Sequence, residues 1–374
     1  DPQPQHAALT PSVMAPKPER SSDAPARGRI VTAADESDAP EASSSSAFVR
    51  APSYSPEELA GFRDFAKVMR DAIGEKGMKG SVKELTPKQA AMRGCLGTLK
   101  SLHRRGRMTF DKDLCIAEAA GGQLTVLKWL LENACPVDEA TDDGATPLYQ
   151  AAQNGHAAVV WAPTKSDADI NKASVGGMTP LYTAAGSGHD AVVRALVGAG
   201  ADINKAIDDG STPLYFAAEF NHETVARALM EAGADVKKAD DIGATPLFIA
   251  AGDGHETVAR TLIQAGADVN KAMDMGTTPL CIAAKGGFDA VVRALIEAGA
   301  DVNKADDIGW TPLYFAAQNG NETVVRALIA TGADVNKAAD DGSTPLSLSM
   351  TPINNIAQGN HAAVVLILRD SGAA

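Results

Sequence analysis

An all-α solenoid of stacked helix pairs, carrying hairpin-like fingers and preceded by a disordered arm and a short helix, is the fold this sequence predicts. Three observations predict it. The motif "TPL" begins at Thr146, Thr179, Thr212, Thr245, Thr278, Thr311 and Thr344, always 33 residues apart, and a fixed period of this size marks an array of stacked supersecondary units. Between these anchors run an alanine pair, "GH" or a close variant, a valine-rich segment and "GAD". Apolar residues make up 45% of the chain but aromatics only 5%, which suits small-residue helices packed closely together better than a conventional enzyme core.

In chain order, residues 1–54 form an arm rich in Pro, Ser, Ala and mixed charge. It lacks the apolar surface needed to offset chain entropy, so it is expected to be extended or disordered in isolation. Residues 55–86 hold an amphipathic helix and a linker. Ser55 with Glu58 makes a capping box, Pro56 takes the first helical position, and Leu59, Phe62, Phe65, Met69 and Ile73 form one apolar stripe. The stripe is expected to dock on the first repeat of the solenoid, which spans residues 87–374.

Within each repeat the threonine caps a first helix through its hydroxyl, and the proline after it loses no donor that the helix needs. "ETVARTLI" gives a second helix with Val258, Leu262 and Ile263 on one face. Gly266 supplies a left-handed ending, and "ADVNKADDIG" is turn chemistry for a finger. No unit buries its apolar face alone, so neighbours must stack. Two copies depart from the pattern. The last has seven extra residues between Thr344 and His361, with Pro352 cutting its first helix. In the Thr146 copy, "WAPTKSD" replaces "RALVGAG", and Pro163 predicts a second helix that stops short, at a cost of about 3 kcal/mol in an intact one. A local loop with Trp161 covering exposed core is expected there.

The 33-residue copies resemble ankyrin repeats, over residues 141–374 at least. "GGQLTVLKWLLENACPVDE" (Gly121 to Glu139) resembles a shorter ankyrin variant of pattern "GHLEVLKWL…GCPWDE", and "AAMRGCLGTLKSLHRRGRMTFD" repeats it about 28 residues earlier. The resemblance implies a non-catalytic scaffold or adaptor whose partners meet the finger tips and the exposed positions of the first helices, on a concave face. The alternative is a permanent structural subunit of a large multiprotein assembly, anchored by its N-terminal arm.

Candidate chemistry narrows further. His156, His189, His222 and His255 lie one repeat apart, too far to share a metal whose ligands sit about 2 Å from one centre. "DVNKADDIG" from Asp301 is not an EF-hand loop, because Ala305 and Asp306 stand where an acid or amide and then a glycine are needed. No Ser/His/Asp constellation, P-loop or dinucleotide fingerprint is present, so neither an enzyme nor a cofactor is expected. Residues 1–110 carry 17 Lys+Arg against 13 Asp+Glu, a net of +4, whereas the remainder carries 17 against 34, a net of −17. An acidic body repels phosphates, so no nucleic acid is expected. No run of about 18 apolar residues exists to span a membrane. Four cysteines without a CxxC or a disulfide framework suit a reducing, intracellular compartment, cytoplasmic by default. The chain begins at Asp1 rather than Met, which leaves an organelle open if a targeting segment preceded it.

What remains is surface. The second finger position reads Asp142, Val175, Asp208, Asp241, Asp274, Asp307 and Asp340, although Asp is also a common turn residue. Positions that differ between copies add Phe220, Ile242, Met275, Ile308 and Trp310 as exposed apolar groups, with Trp310 as an anchor for binding. The expected site is therefore Phe220, Asp241, Ile242, Asp274, Met275, Asp307, Ile308 and Trp310. Its expected partner is a protein with a basic and apolar surface, within a large complex if the alternative reading holds.

Overall fold

The computed structural model describes residues 86–164, 168–350 and 358–373. The expected arm and the amphipathic helix with its docking lie outside the described residues, as do Lys165 to Asp167 and the Pro352 insertion.

Helices come in antiparallel pairs, and no strand occurs among the described residues. Two short units lead: α1 (Pro87–Met92) with α2 (Leu96–Arg104), then α3 (Lys112–Ala120) with α4 (Leu124–Glu132). The regular repeats follow as α5 (Pro147–Gln153) with α6 (Ala157–Thr164), α7 (Pro180–Gly186) with α8 (Asp190–Gly198), and α9 (Pro213–Glu219) with α10 (Glu223–Glu231). Next come α11 (Pro246–Gly252) with α12 (Glu256–Gln264), α13 (Pro279–Gly286) with α14 (Asp289–Glu297), and α15 (Pro312–Gln318) with α16 (Glu322–Ala330). The last pair is α17 (Pro345–Ser349) with α18 (Gln358–Asp370). First helices stack on first helices and second on second.

The repeated letters act as their chemistry requires. Each TPL threonine accepts a hydrogen bond from the backbone N–H three residues on, as Thr146 does from Tyr149 at 3.1 Å and Thr311 from Tyr314 at 3.2 Å. The leucine of TPL, the alanine pair, the valines and the second-helix leucine are buried in one core running from Leu148 to Leu368. A second core, from Ala90 to Ala162, serves the leading units. The Thr146 repeat contributes to both.

Three polar ladders join the layers. The histidine after each "G" reaches back through Nε2 to a carbonyl of the preceding repeat: His156 to Ala120 at 2.9 Å, His222 to Gly186 and His255 to Glu219 likewise at 2.9 Å. Asn321 replaces it through Nδ2 to Ala284 O at 2.8 Å, and Phe288 fills the same place without a polar atom. In the finger stems, an asparagine Oδ1 accepts the next repeat's Asp N–H, as Asn171 does from Asp202 and Asn270 from Asp301, both at 2.9 Å. The following lysine donates to the asparagine carbonyl, Lys304 to Asn270 O at 2.8 Å. Lys237 stands in the asparagine column, and there the ladder lacks its rung.

Pro163 corrects the expectation of a helix stopping before it. It lies inside α6, buried, and the helix runs on to Thr164. The reason is position. In the last turn a proline forfeits one backbone bond, and its own carbonyl still accepts Ala168 N–H at 3.2 Å, as the sister Leu196 carbonyl accepts Ala201 N–H at 3.0 Å. Trp161 is likewise accommodated. In sister repeats this place holds an arginine, which in two of them pairs with an acid 37 residues on, Arg194 with Glu231 and Arg260 with Glu297. Thirty-seven residues beyond Trp161 lies Gly198, where an added Cβ would sit 3.5 Å from the indole. An ion pair has been exchanged for a ring lying over a glycine.

One core position breaks the chemistry. Counting back from Gly122, which matches Gly155, Glu118 stands where Ala151 stands in the next repeat. It is fully buried, and neither carboxylate oxygen has a hydrogen-bond partner. Burial pushes its pKa up to about 8. Cys115, one turn earlier, is held protonated by its hydrogen bond with Cys135 and by burial, both raising its pKa. All four cysteines are free thiols.

Two stability predictions follow from these irregularities. The folded chain keeps a Glu118 proton that the unfolded chain releases above about 4.5, so stability falls as pH rises between 4.5 and about 8 and levels off beyond. Glu118→Ala should remove that slope and add about 1–3 kcal/mol at pH 7, the usual penalty of an unsatisfied buried group; urea titrations across this range would show it, and an unchanged slope would mean that the carboxyl is solvated. Lys237→Asn should restore the missing rung and add about 1 kcal/mol in the same assay.

Candidate partner-binding face

Each finger is a tight hairpin closed at its base by backbone bonds, Asp240 N–H to Ala244 O at 3.0 Å and Asp306 N–H to Trp310 O at 3.1 Å. Where an aspartate opens the finger, its carboxylate caps the turn: Asp240 Oδ1 accepts from Ile242 N at 3.1 Å and Ala244 N at 2.8 Å, and Asp306 Oδ1 from Ile308 N at 3.2 Å and Trp310 N at 2.8 Å. The finger between them opens with Met273, which has no carboxylate to offer. It turns differently, through a 3₁₀ segment Asp274–Gly276 in which Met275 lies at φ 68° and Gly276 at φ 79°. The finger before Thr179 makes the same turn with Gly176 in that place, at φ 80°, where no Cβ resists. Met275 therefore carries a left-handed backbone strain of about 1–2 kcal/mol.

Single backbone bonds then tie finger to finger. Asp274 N–H donates to Ile242 O at 2.8 Å, Asp307 N–H to Met275 O at 3.0 Å and Asp340 N–H to Ile308 O at 3.1 Å. The residues whose carbonyls accept these bonds stand in one row of tips, Asp143, Gly176, Asp209, Ile242, Met275 and Ile308, which Asp341 continues by register. Ile242, Met275 and Ile308 are 53%, 69% and 50% exposed. Beside them Asp241, Asp274 and Asp307 are exposed and form no ion pair. The second helices differ: there Arg227, Arg293 and Arg326 each neutralise an acid one turn away.

Six of the eight predicted site residues thus come together. Phe220 does not join them. It is exposed, but it follows the C-terminal end of α9, a helix length from the tips, with its ring edge-on to Phe216 at 4.8 Å. Trp310 corrects the expectation of an exposed anchor. It is half-buried at the finger base, stacked on Tyr314 at 4.9 Å and edge-on to Phe315 at 5.4 Å. A large aromatic two residues after a tip folds back onto its own repeat because these rings offer it apolar cover.

Some features of this face went unread in the sequence. Val175, read there only as a break in the aspartate column, is a further exposed aliphatic, at 67%. Phe216, Ile249, Ile282 and Phe315 occupy one column of the first helices, and Phe216 stacks on Tyr182 of the preceding repeat at 4.5 Å. Comparing the column after the capped residue across copies would have found them. Glu219, at the C-terminal end of α9, has its carboxyl pKa raised by burial and then by Asp253 and Asp209. Among the described residues no three His, Cys, Asp or Glu side chains converge as metal ligands, and no helix is long and apolar enough to cross a membrane.

The family model for ankyrin repeats matches residues 114–207, 164–240, 237–306 and 304–373. In structure the chain is similar to the crystal structure of the human ASB11 ankyrin repeat domain, at 25% sequence identity and a TM-score of 0.53, over 59% of this chain and 97% of that one. No curated protein matches by sequence.

The contrast between Trp310 and the tips is open to measurement. Trp310→Ala should cost about 2 kcal/mol of folding stability through the lost ring contacts, whereas Ile242→Ser and Ile308→Ser should stay within about 0.5 kcal/mol of the parent, as exposed sites do. A Trp310→Ala as silent as the other two in chemical denaturation would place the indole outside the fold.

Proposed function

The chain belongs to the ankyrin-repeat family, and from that premise we propose that it is a non-catalytic adaptor that docks a protein partner on the face made by its finger tips and first helices. Ankyrin repeats generally mediate protein–protein interaction, and the family is generally non-catalytic. The observation that carries the finer reading is Met275. A flexible apolar side chain is held in a strained backbone conformation at the most exposed of the three apolar tips, where glycine would serve the turn without strain. Strain of this kind needs a counterpart, and partner contact supplies one. Ile242 and Ile308 flank it on tied fingers, so the three form one apolar strip with acids alongside. The apolar strip supplies affinity once desolvated, and the acids favour a basic partner and speed encounter.

Met275→Gly separates function from folding. It deletes the side chain and relieves the strain, so the variant should be no less stable than the parent. The full chain, immobilised, would capture its partner from source-cell lysate for identification by mass spectrometry, and the purified pair would then be titrated. The partner should bind Met275→Gly at least tenfold more weakly, a loss of about 1.4 kcal/mol. Undiminished affinity for Met275→Gly combined with Ile242→Ser and Ile308→Ser would remove the tips from the binding site.

A further inference from the structure

The tip row has a pitch, and the pitch constrains what can lie on it. Adjacent layers of packed helices are about 8–10 Å apart, and each joint between fingers is closed by a backbone bond of 2.8 to 3.1 Å. Ile242, Met275 and Ile308 therefore project at intervals of about 10 Å over about 20 Å. An extended strand advances about 10 Å in three residues, but residues three apart point to opposite faces, so a strand cannot present a side chain to every tip. A polyproline helix returns to the same face every three residues, about 9 Å, yet such ligands seat between aromatic rings. The tips are aliphatic, and the nearest indole, Trp310, is stacked against its own repeat. An α-helix advances about 10.5 Å in seven residues and returns close to the same face.

Resting on the finger-tip reading above, we infer that the partner presents a basic amphipathic α-helix along the row, with apolar residues at i, i+7 and i+14. Charge agrees with this occupant. Asp241, Asp274 and Asp307 repeat at the same pitch beside the tips without an ion pair, so cationic residues one turn from each apolar contact meet a carboxylate. Asp209 and Asp341 end the apolar run on either side, which limits the apolar contact to about 15 residues of helix. A straight helix drifts about 20° per seven residues from such a register, and three contacts keep that drift small. Met275, unbranched and central, adapts to the side chain it meets.

The test uses the full chain and three synthetic peptides of equal length and net positive charge. One is helical with leucines seven apart, one is helical with leucines five apart, and one is proline-rich with leucines three apart. Binding is read by fluorescence anisotropy at physiological salt and helicity by circular dichroism. The seven-spaced peptide should bind at least tenfold more tightly than either control and gain helicity, and Met275→Gly should weaken it at least tenfold. Equal or tighter binding by the five-spaced or proline-rich peptide, or indifference to Met275→Gly, overturns the helix inference. If the natural partner still depends on Met275 in that case, the docking face stands and only its occupant is wrong. If neither the partner nor the peptide responds to Met275→Gly, both readings fall.

Discussion

Each helix pair buries one flank against the pair before it and offers the other to the pair after, and among the described residues the core is built from that exchange. The side chains that carry it are small or aliphatic. The alanine pairs are 0% exposed in every regular repeat up to Ala316-Ala317, which lets first helices approach closely, and the second-helix leucines fill the space behind them. Burying one such leucine is worth about 1.5–3 kcal/mol. The histidine, asparagine and lysine ladders add polar bonds at the same joints, so the distance between layers is set by packing and held by hydrogen bonds. The tip row inherits its regular pitch from this core.

Charge is distributed to match. On the regular second helices Arg194, Arg227, Arg260, Arg293 and Arg326 each pair with an acid, and such exposed pairs contribute little stability but leave that side electrostatically mixed. The finger side keeps its aspartates unpaired. The two long faces of one repeat motif thus differ in what they can attract, although the residues that make them alternate every few positions along the chain.

Helix starts, helix ends and the stacking core were legible because each rests on local chemistry repeated along the array: a threonine hydroxyl before a proline, a glycine at positive φ, a valine stripe. The tip residues were legible for the same reason, since differences stand out against a constant frame. Trp310 was misjudged because exposure at a finger base depends on the rings of the next helix, which the turn pattern does not encode. Phe220 was grouped with the tips by composition, whereas a helix of seven residues places it at the opposite end. Pro163 was read by its propensity in mid-helix, and its true cost depends on lying in the last turn. Glu118 escaped notice because the short units lack the TPL marker that would have set their register against the alanine column.

Near-identical repeats raise a difficulty for a folding chain, because any copy could stack on the wrong one with the same alanines and valines. The irregular positions discriminate. Phe288 needs the bare Cα of Gly254 before it, where a Cβ would lie 2.5 Å from the ring, whereas one repeat earlier that place holds Asn221. Trp161 lies over Gly198, where its sisters present Glu231, Gln264, Glu297 or Ala330. Exchanged neighbours would set indole against carboxylate, or leave an arginine opposite a glycine. These pairs act as addresses, so the departures from the consensus give the array one order in which to assemble.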